Sequence, residues 1–87
     1  MSQHPATGEP VVRVLLFASL RDQAGWADRR VSLNDQQRCT AHQVWEQLEL
    51  GDLPQMVRVA INQRLVSLDH PVHNGDELAF LPPFTGG

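Results

Sequence analysis

Residues 74–87 read NGDELAFLPPFTGG, and this stretch says most about the fold. Asn74-Gly75 predicts a tight turn, because both residue types tolerate the positive φ angles that such turns need. Glu77–Leu81 follows with the alternation of a β-strand. Pro82-Pro83 then ends that strand, since proline has no N–H to give to a sheet and favours an extended chain. The stretch therefore predicts a final strand that leads into a stiffened tail.

A second apolar run, VVRVLLFA at Val11–Ala18, predicts a buried strand near the start of the domain. Because this strand and the final one are apolar on both faces, we expect them to lie side by side in the middle of the sheet. Strand alternation places Val12, Val14 and Leu16 on the face toward the core, and Arg13, Leu15 and Phe17 on the other.

The main helix is predicted to begin after Thr40. Thr40 and Gln43 have the spacing of a capping box, in which two side chains satisfy free N–H groups of the first turn. Gly51 is predicted to end the helix after about three turns. The apolar stripe that would face the sheet consists of Ala41, Val44, Trp45 and Leu48, with Trp45 interpreted as a core residue.

The remaining elements complete an α+β pattern. A single helix must cover one face of a mixed sheet if the alternating apolar residues are to be buried. The sequence therefore predicts a β-grasp fold with about five strands, one main helix and a flexible C-terminal tail. In chain order, the other elements are a helical turn capped by Ser19 and ended by Gly25, a strand at Trp26–Leu33, a loop at 34–39, a strand at Val57–Ile61, a turn at Asn62-Gln63 and a short strand at Leu65-Val66.

The composition limits the class of protein. The chain has 87 residues, which is enough for one small domain, predicted at 11–81 with a disordered lead at 1–10 and a tail at 82–87. The net charge of -3 argues against nucleic-acid binding. No apolar run reaches the roughly 18 residues that would span a membrane, and the first residues do not have the pattern of a secretory signal. A single cysteine, Cys39, cannot form an internal disulfide and fits a reducing compartment, so a cytoplasmic location is expected.

The glycine pair Gly86-Gly87 has no value for packing, because glycine has no side chain and a high ordering cost. A frayed end is one explanation. The other is a terminal carboxylate that must reach into the narrow active site of another protein.

Several motifs match a known family. Residues 65–87, LVSLDHPVHNGDELAFLPPFTGG, resemble the C-terminal half of molybdopterin synthase small subunits, the MoaD-like sulfur carriers of the MoaD/ThiS family. The opening VLLFASLRDQAG at 14–25 is also similar to their first strand and following helical turn. Residues 26–56 match in pattern only. The positions that carry the resemblance are Asn62-Gln63, Gly75-Asp76-Glu77, Phe80, Pro82-Pro83 and Gly86-Gly87.

The resemblance implies a ubiquitin-like sulfur carrier with no permanently bound cofactor. An ATP-dependent adenylating enzyme would activate the carboxylate of Gly87. A sulfur-donor protein would then supply the sulfur that converts it to a thiocarboxylate. The large subunit of molybdopterin synthase would then use this sulfur on cyclic pyranopterin monophosphate, in a heterotetramer whose catalytic pocket lies on the large subunit. Gly87 would thus be the reacting residue. The residues inserted into the partner would be Pro82, Pro83, Phe84, Thr85 and Gly86.

A docking surface is also expected. If the core face of the sheet meets the helix, then Leu15, Phe17, Ala79 and Leu81 lie on the open face, and such apolar clusters commonly mark interaction sites. The resemblance adds Leu65 as an apolar contact and Arg21 as a polar anchor for an acidic group. The partner-binding residues implied in this way are Phe17, Arg21, Leu65 and Leu81.

Three alternatives to the molybdopterin pathway stay open at the level of sequence. They are sulfur delivery to another product such as thiamine thiazole, a ubiquitin-like modifier that forms isopeptide bonds, and a plain interaction domain. No metal site is predicted, because His70 and His73 flank a turn and have no cysteine partner nearby. Asp76 and Glu77 are interpreted as turn residues, and Cys39 as a structural thiol.

Overall fold

The computed structural model describes residues 10–33 and 39–83 of the chain. Within them the order of elements is the predicted one, with five strands and two helices. The elements are β1 (Val11–Leu16), α1 (Ala18–Ala24), β2 (Asp28–Ser32), α2 (Ala41–Leu48), β3 (Arg58–Ile61), β4 (Arg64–Val66) and β5 (Glu77–Leu81).

All five strands form one mixed sheet in the order β2-β1-β5-β3-β4. β1 and β5 are central and parallel, with Leu16 paired to Phe80, and the other neighbours are antiparallel. The two strands that are apolar on both faces therefore lie side by side, as the sequence predicts. β5 also has the predicted bounds.

Helix α2 packs on one face of this sheet, which we call the covered face. Trp45 and Phe80 meet edge to face with ring centroids 5.1 Å apart, and both side chains are almost fully buried. The indole Nε1–H of Trp45 donates to the carbonyl of Gly51 at 2.8 Å, so burial leaves no polar atom of this ring unsatisfied. The prediction that Trp45 is a core residue is confirmed. The other largest fully buried side chains are Leu16, Leu78, Val12, Val14, Val44 and Val59.

The start of α2 is as predicted, but its end is not. The Gln43 N–H donates to Thr40 Oγ1 at 3.2 Å, and the Thr40 N–H donates to Gln43 Oε1 at 2.9 Å, which completes the capping box. The helix ends at Leu48, because Glu49 itself adopts the left-handed conformation with φ 59°. The prediction that Gly51 ends it after about three turns is wrong. Gly51, at φ 93°, belongs to the turn that follows.

The predicted cap of α1 is also wrong. The helix begins at Ala18, directly after β1, so that extended Phe17 is the N-cap residue and Ser19 falls inside the first turn. No side chain in the described part of the chain caps this helix with a hydrogen bond. Its end is confirmed, since Gly25 is left-handed at φ 86° and its N–H donates to the Arg21 carbonyl.

The strands differ slightly from their predicted bounds. β2 covers only Asp28–Ser32 of the predicted Trp26–Leu33, although Leu33 is buried and its N–H donates to the Pro10 carbonyl at 2.9 Å. The turn between β3 and β4 is confirmed, with Asn62 and Gln63 at φ 52° and 72°. The predicted lead, most of the predicted loop at 34–39 and the end of the tail lie outside the described residues.

Candidate docking face and tail exit

The face of the sheet opposite α2 is called the open face here. The strand registers place one apolar row across four neighbouring strands of this face, running from Leu15 to Ala79 to Ala60 to Leu65. The two alanines at the centre are buried, whereas Leu65 at the edge is 60% exposed. The open face thus has a flat centre of small side chains and larger apolar side chains around it.

Phe17 and Leu81 form a second apolar group on the open face. Phe17 follows Leu16, the partner of Phe80, and its backbone is still extended at φ -120° and ψ 153°. Strand alternation therefore directs its side chain to the open face, level with Leu81 on the neighbouring strand. Phe17 is 43% exposed and Leu81 is half-buried. The structure brings the predicted residues Phe17, Leu65 and Leu81 to one face, and their contact with a partner stays a prediction.

Arg21, the fourth predicted contact, lies on α1 one helical turn after Phe17. Its N–H donates to the Phe17 carbonyl, and its exposed side chain is 3.8 Å from the carboxylate of Asp22. An exposed ion pair of this length is worth at most about 1 kcal/mol. Arg21 could therefore exchange Asp22 for a carboxylate on a partner at little cost.

The tail begins beside these residues. Because β1 and β5 are parallel, the C-terminal ends of both strands reach the same edge, and Pro82 leaves β5 next to Phe17 and Leu81. Pro82 is half-buried and Pro83 is exposed. The predicted residues Phe84, Thr85, Gly86 and Gly87 lie outside the described residues.

The opposite end of β5 is fixed by a polar turn. The two carboxylate oxygens of Asp76 accept hydrogen bonds from Asn62 Nδ2 at 3.0 Å and from the His73 N–H at 2.8 Å. The Asn62 side-chain oxygen accepts in turn from the Glu77 N–H at 3.0 Å. Asp76 therefore holds the turn before β5 in place, and its interpretation as a turn residue is confirmed.

One ion pair lies on the open face near its other edge. Arg13 on β1 reaches Asp28 on β2 through Nη2–Oδ2 and Nε–Oδ1 distances of 2.6 Å and 3.0 Å. The hydrogen bond from Arg13 holds the pKa of Asp28 below its ordinary value, and the same bond raises the pKa of Arg13. The pair joins the edge strand β2 to the centre of the sheet and neutralises the charge of Arg13.

Other candidate groups do not form a site. Residues 10–33 and 39–83 contain no group of three or more metal-ligating side chains, and His70 Nδ1 is 2.9 Å from the Pro71 carbonyl. Cys39 is 5% exposed, which agrees with a structural role. Neither of the two helices in this part of the chain is long and apolar enough to cross a membrane.

Three residues of interest were not identified from the sequence. Ala60 belongs to the apolar row and Arg58 pairs in register with Leu81, but both facts depend on how β3 lines up with β5. Met56 is 75% exposed just before β3, in a segment whose sequence has no alternation. Alternation along β3 gives the face of Ala60 and Arg58 but not the residues of β5 beside them, whereas the turn chemistry around Pro54 could have suggested an exposed Met56.

The sheet order, the helix on one face and the tail that leaves the central strand together define a small ubiquitin-like β-grasp protein. Comparison with known families makes this specific. The chain belongs to the ThiS family, whose model matches residues 14–87. This match includes the glycine pair at the end of the tail.

Individual relatives cover most of the chain. The molybdopterin synthase sulfur carrier subunit of Escherichia coli is 38% identical over 85 residues, which are 88% of this chain and 100% of the relative. Among solved structures, SAMP1 from Haloferax volcanii is 28% identical with a TM-score of 0.74, covering 88% of this chain and 99% of that one. A complex of subunits 1 and 2 of molybdopterin-converting factor from Helicobacter pylori contains a chain with a TM-score of 0.60, covering 88% and 99%. At 22% identity it supports the fold alone.

Proposed function

We propose that this chain is the sulfur-carrier subunit of a molybdopterin synthase. The family and the name of the Escherichia coli relative support the class of function. The observation that carries the proposal is the position of the tail. Central strand β5 leads into Pro82 at the edge where Phe17 and Leu81 are presented on the open face. The surface that would bind the partner and the tail that would enter its active site therefore lie next to each other.

The reaction needs a reachable carboxylate and no side chain of this protein. A carboxylate resists attack because its charge is delocalised, so an adenylating enzyme first joins Gly87 to AMP and releases pyrophosphate from ATP. The outer sulfur of a persulfide on a donor protein then attacks the acyl carbon, and AMP leaves. A thiol cleaves the sulfur–sulfur bond of the resulting acyl disulfide, which leaves the thiocarboxylate on Gly87 and a new disulfide between the thiol and the donor. Since the chain contains no lysine, the acyl-adenylate meets no side-chain amine of its own chain.

The length and composition of the tail suit this role. Six residues, 82–87, extend at most about 20 Å at roughly 3.3–3.6 Å each. Pro82-Pro83 limits the conformations of the first part and so lowers the entropy lost on insertion. Gly86 and Gly87 allow backbone angles that other residues avoid and leave no side chain to obstruct a narrow channel.

The main partner in this proposal is the large subunit of molybdopterin synthase. The name of the Escherichia coli relative, a sulfur carrier subunit of molybdopterin synthase, supports such a pairing. The Helicobacter pylori structure is described as a complex of subunits 1 and 2 of molybdopterin-converting factor, so a protein of this fold occurs in an assembly of that kind. The partner would cover the apolar residues Phe17, Leu65 and Leu81, while Arg21 would bind an acidic group. The adenylating enzyme and the sulfur-donor protein are the other partners proposed.

Intact mass spectrometry tests the proposal. We expect protein purified after coexpression with an adenylating enzyme and a sulfur donor to gain the mass of one oxygen-to-sulfur exchange. Fragmentation should place this change at Gly87. A variant that lacks Gly87 is the control and should stay unmodified while keeping its fold. Finding only the carboxylate in the full chain would contradict the sulfur-carrier function.

A second candidate function is supported by the likeness to SAMP1 from Haloferax volcanii, which is described as small archaeal modifier protein 1. A modifier would transfer the activated Gly87 to lysines of other proteins. Expression of a tagged chain in cells separates the two functions. Ladders of conjugated proteins that require Gly87 would favour the modifier, and their absence together with a thiocarboxylate would favour the sulfur carrier.

A further inference from the structure

Arg58 is a charged residue of the open face that lies at the tail exit. It begins β3 and pairs in register with Leu81, the last residue of β5. Its side chain is exposed, between the buried neighbours Val57 and Val59. Strand alternation therefore directs its guanidinium to the open face beside Leu81.

No residue of the described part of the chain neutralises Arg58 with a hydrogen bond or an ion pair. The acidic residues of the open face are too far away for such a bond. Glu77 lies four residues back along β5, about 13 Å from the Arg58–Leu81 row, and Asp28 is three strand spacings away, about 14 Å. Asp28 is also already bonded to Arg13 at 2.6 Å. On the open face, Arg13 is thus neutralised by Asp28, whereas Arg58 at the tail exit has no acidic partner in the described part of the chain.

Arg58 is also continuous with the apolar contacts. It lines a surface groove between β3 and the segment after β4, together with Leu65 and Ser67. A side chain of a partner that enters this groove would touch an apolar group and a guanidinium at once. Arginine suits this position, because its planar group can hold a carboxylate by two hydrogen bonds.

We infer that Arg58 binds a carboxylate of the synthase large subunit at the entrance of the channel that receives the tail. This inference rests on the proposed function. The acidic side chain of the large subunit would lie beside the pocket that receives Leu81. Because only one residue separates Leu81 from Pro83, this contact would also fix how far the tail extends into the channel. Arg58 is then a specificity-determining contact, distinct from the apolar residues that supply most of the buried area.

Paired charge variants test the inference with a built-in control. Arg64 is exposed on the neighbouring strand and pairs in register with buried Ile61, so it belongs to the other side of the sheet. Arg58→Gln and Arg64→Gln remove the same charge, and Arg58→Glu and Arg64→Glu reverse it. The affinity of each variant for the purified large subunit from the same genome is measured by calorimetry at low and high salt, and thermal unfolding checks the fold.

The expected loss of affinity is about threefold for Arg58→Gln and about thirtyfold for Arg58→Glu at low salt. Both Arg64 variants should bind within about twofold of the unchanged protein. The affinity of Arg58→Gln should also depend less on salt than that of the unchanged protein, because salt screens the lost pair.

Two negative results have different meanings. In the first, the unchanged protein binds the large subunit, but each Arg58 variant binds as tightly as the matching Arg64 variant. In that case Arg58 makes no such contact and the inference is wrong. If the unchanged protein does not bind the large subunit at all, the proposed function itself fails.

Discussion

The two faces of the sheet use the same strands for different purposes. On the covered face, side chains such as Val14, Leu78 and Phe80 are fully buried against α2. On the open face, the central positions are the alanines Ala60 and Ala79, and the larger apolar groups remain accessible at the sides. In the proposed function, adjacent residues of one strand therefore serve folding and partner binding in turn. Substitutions on the covered face should lower the free energy of unfolding, whereas substitutions on the open face should weaken partner binding. The following predictions test that difference.

The largest effect is expected for Trp45→Ala on the covered face. The change removes the ring that packs at 5.1 Å from Phe80 and leaves the Gly51 carbonyl without its donor. The free energy of unfolding should fall by about 3–5 kcal/mol, which is a large part of the stability of a small domain. Urea denaturation measures this change. A loss below about 1 kcal/mol would show that α2 contributes little to the core.

Phe17→Ala on the open face should give the opposite result. Its side chain is 43% exposed, so the free energy of unfolding should change by less than about 1 kcal/mol. Binding to the large subunit should weaken by about tenfold or more, because aromatic anchors carry much of the energy of an interface. Calorimetric titration beside urea denaturation measures both. If Phe17→Ala and the unchanged protein bind the large subunit with equal affinity, Phe17 is not part of the docking face.

A smaller effect is expected at the start of α2, far from the open face. Thr40→Ala removes the bond from the Gln43 N–H at 3.2 Å and should lower the free energy of unfolding by about 1 kcal/mol. Ser19→Ala is the matched control, because Ser19 makes no cap and should change stability by only a few tenths of a kcal/mol. Urea denaturation of both variants provides the comparison. Partner binding should be unchanged in each.

The smallest effect concerns the ion pair on the open face. The bond from Arg13 lowers the pKa of Asp28 in the folded protein, so its contribution to stability is present above the unfolded pKa and is lost as pH falls through the folded pKa. Thermal unfolding of Asp28→Asn and of the unchanged protein should differ slightly at neutral pH and converge in acid. In Arg13→Gln, NMR titration should show the pKa of Asp28 moving up to its ordinary range. A pKa that does not respond would contradict the pairing.

Much of the fold could be predicted because its signals are local. The alternation of Glu77–Leu81, the turn at Asn62-Gln63 and the capping box at Thr40 each depend on a few consecutive residues. The end of α2 could not be predicted in this way. Contacts from elsewhere hold the segment after the helix, including a bond from the Gln23 side chain to the Leu50 carbonyl at 2.9 Å.

The residues of the candidate site also differ in whether local sequence could predict them. Phe17, Leu65 and Leu81 follow from the resemblance and from strand alternation, and the structure places them on one face. Arg58 and Ala60 become relevant only through the register between β3 and β5, which are separated by β4 and a long turn. A sequence gives the face of each strand but not the partner residue opposite it. The role of Gly87 rests on the family and on chemistry.

The fate of the sulfur is the most direct test of the function. Protein carrying a thiocarboxylate at Gly87 is mixed with the large subunit and cyclic pyranopterin monophosphate, and its intact mass is followed over time. We expect the mass to return to that of the carboxylate form as the pterin gains sulfur, and to stay unchanged when the large subunit is left out. A thiocarboxylate that persists in the complete mixture would contradict the role of this chain as the sulfur carrier of molybdopterin synthase.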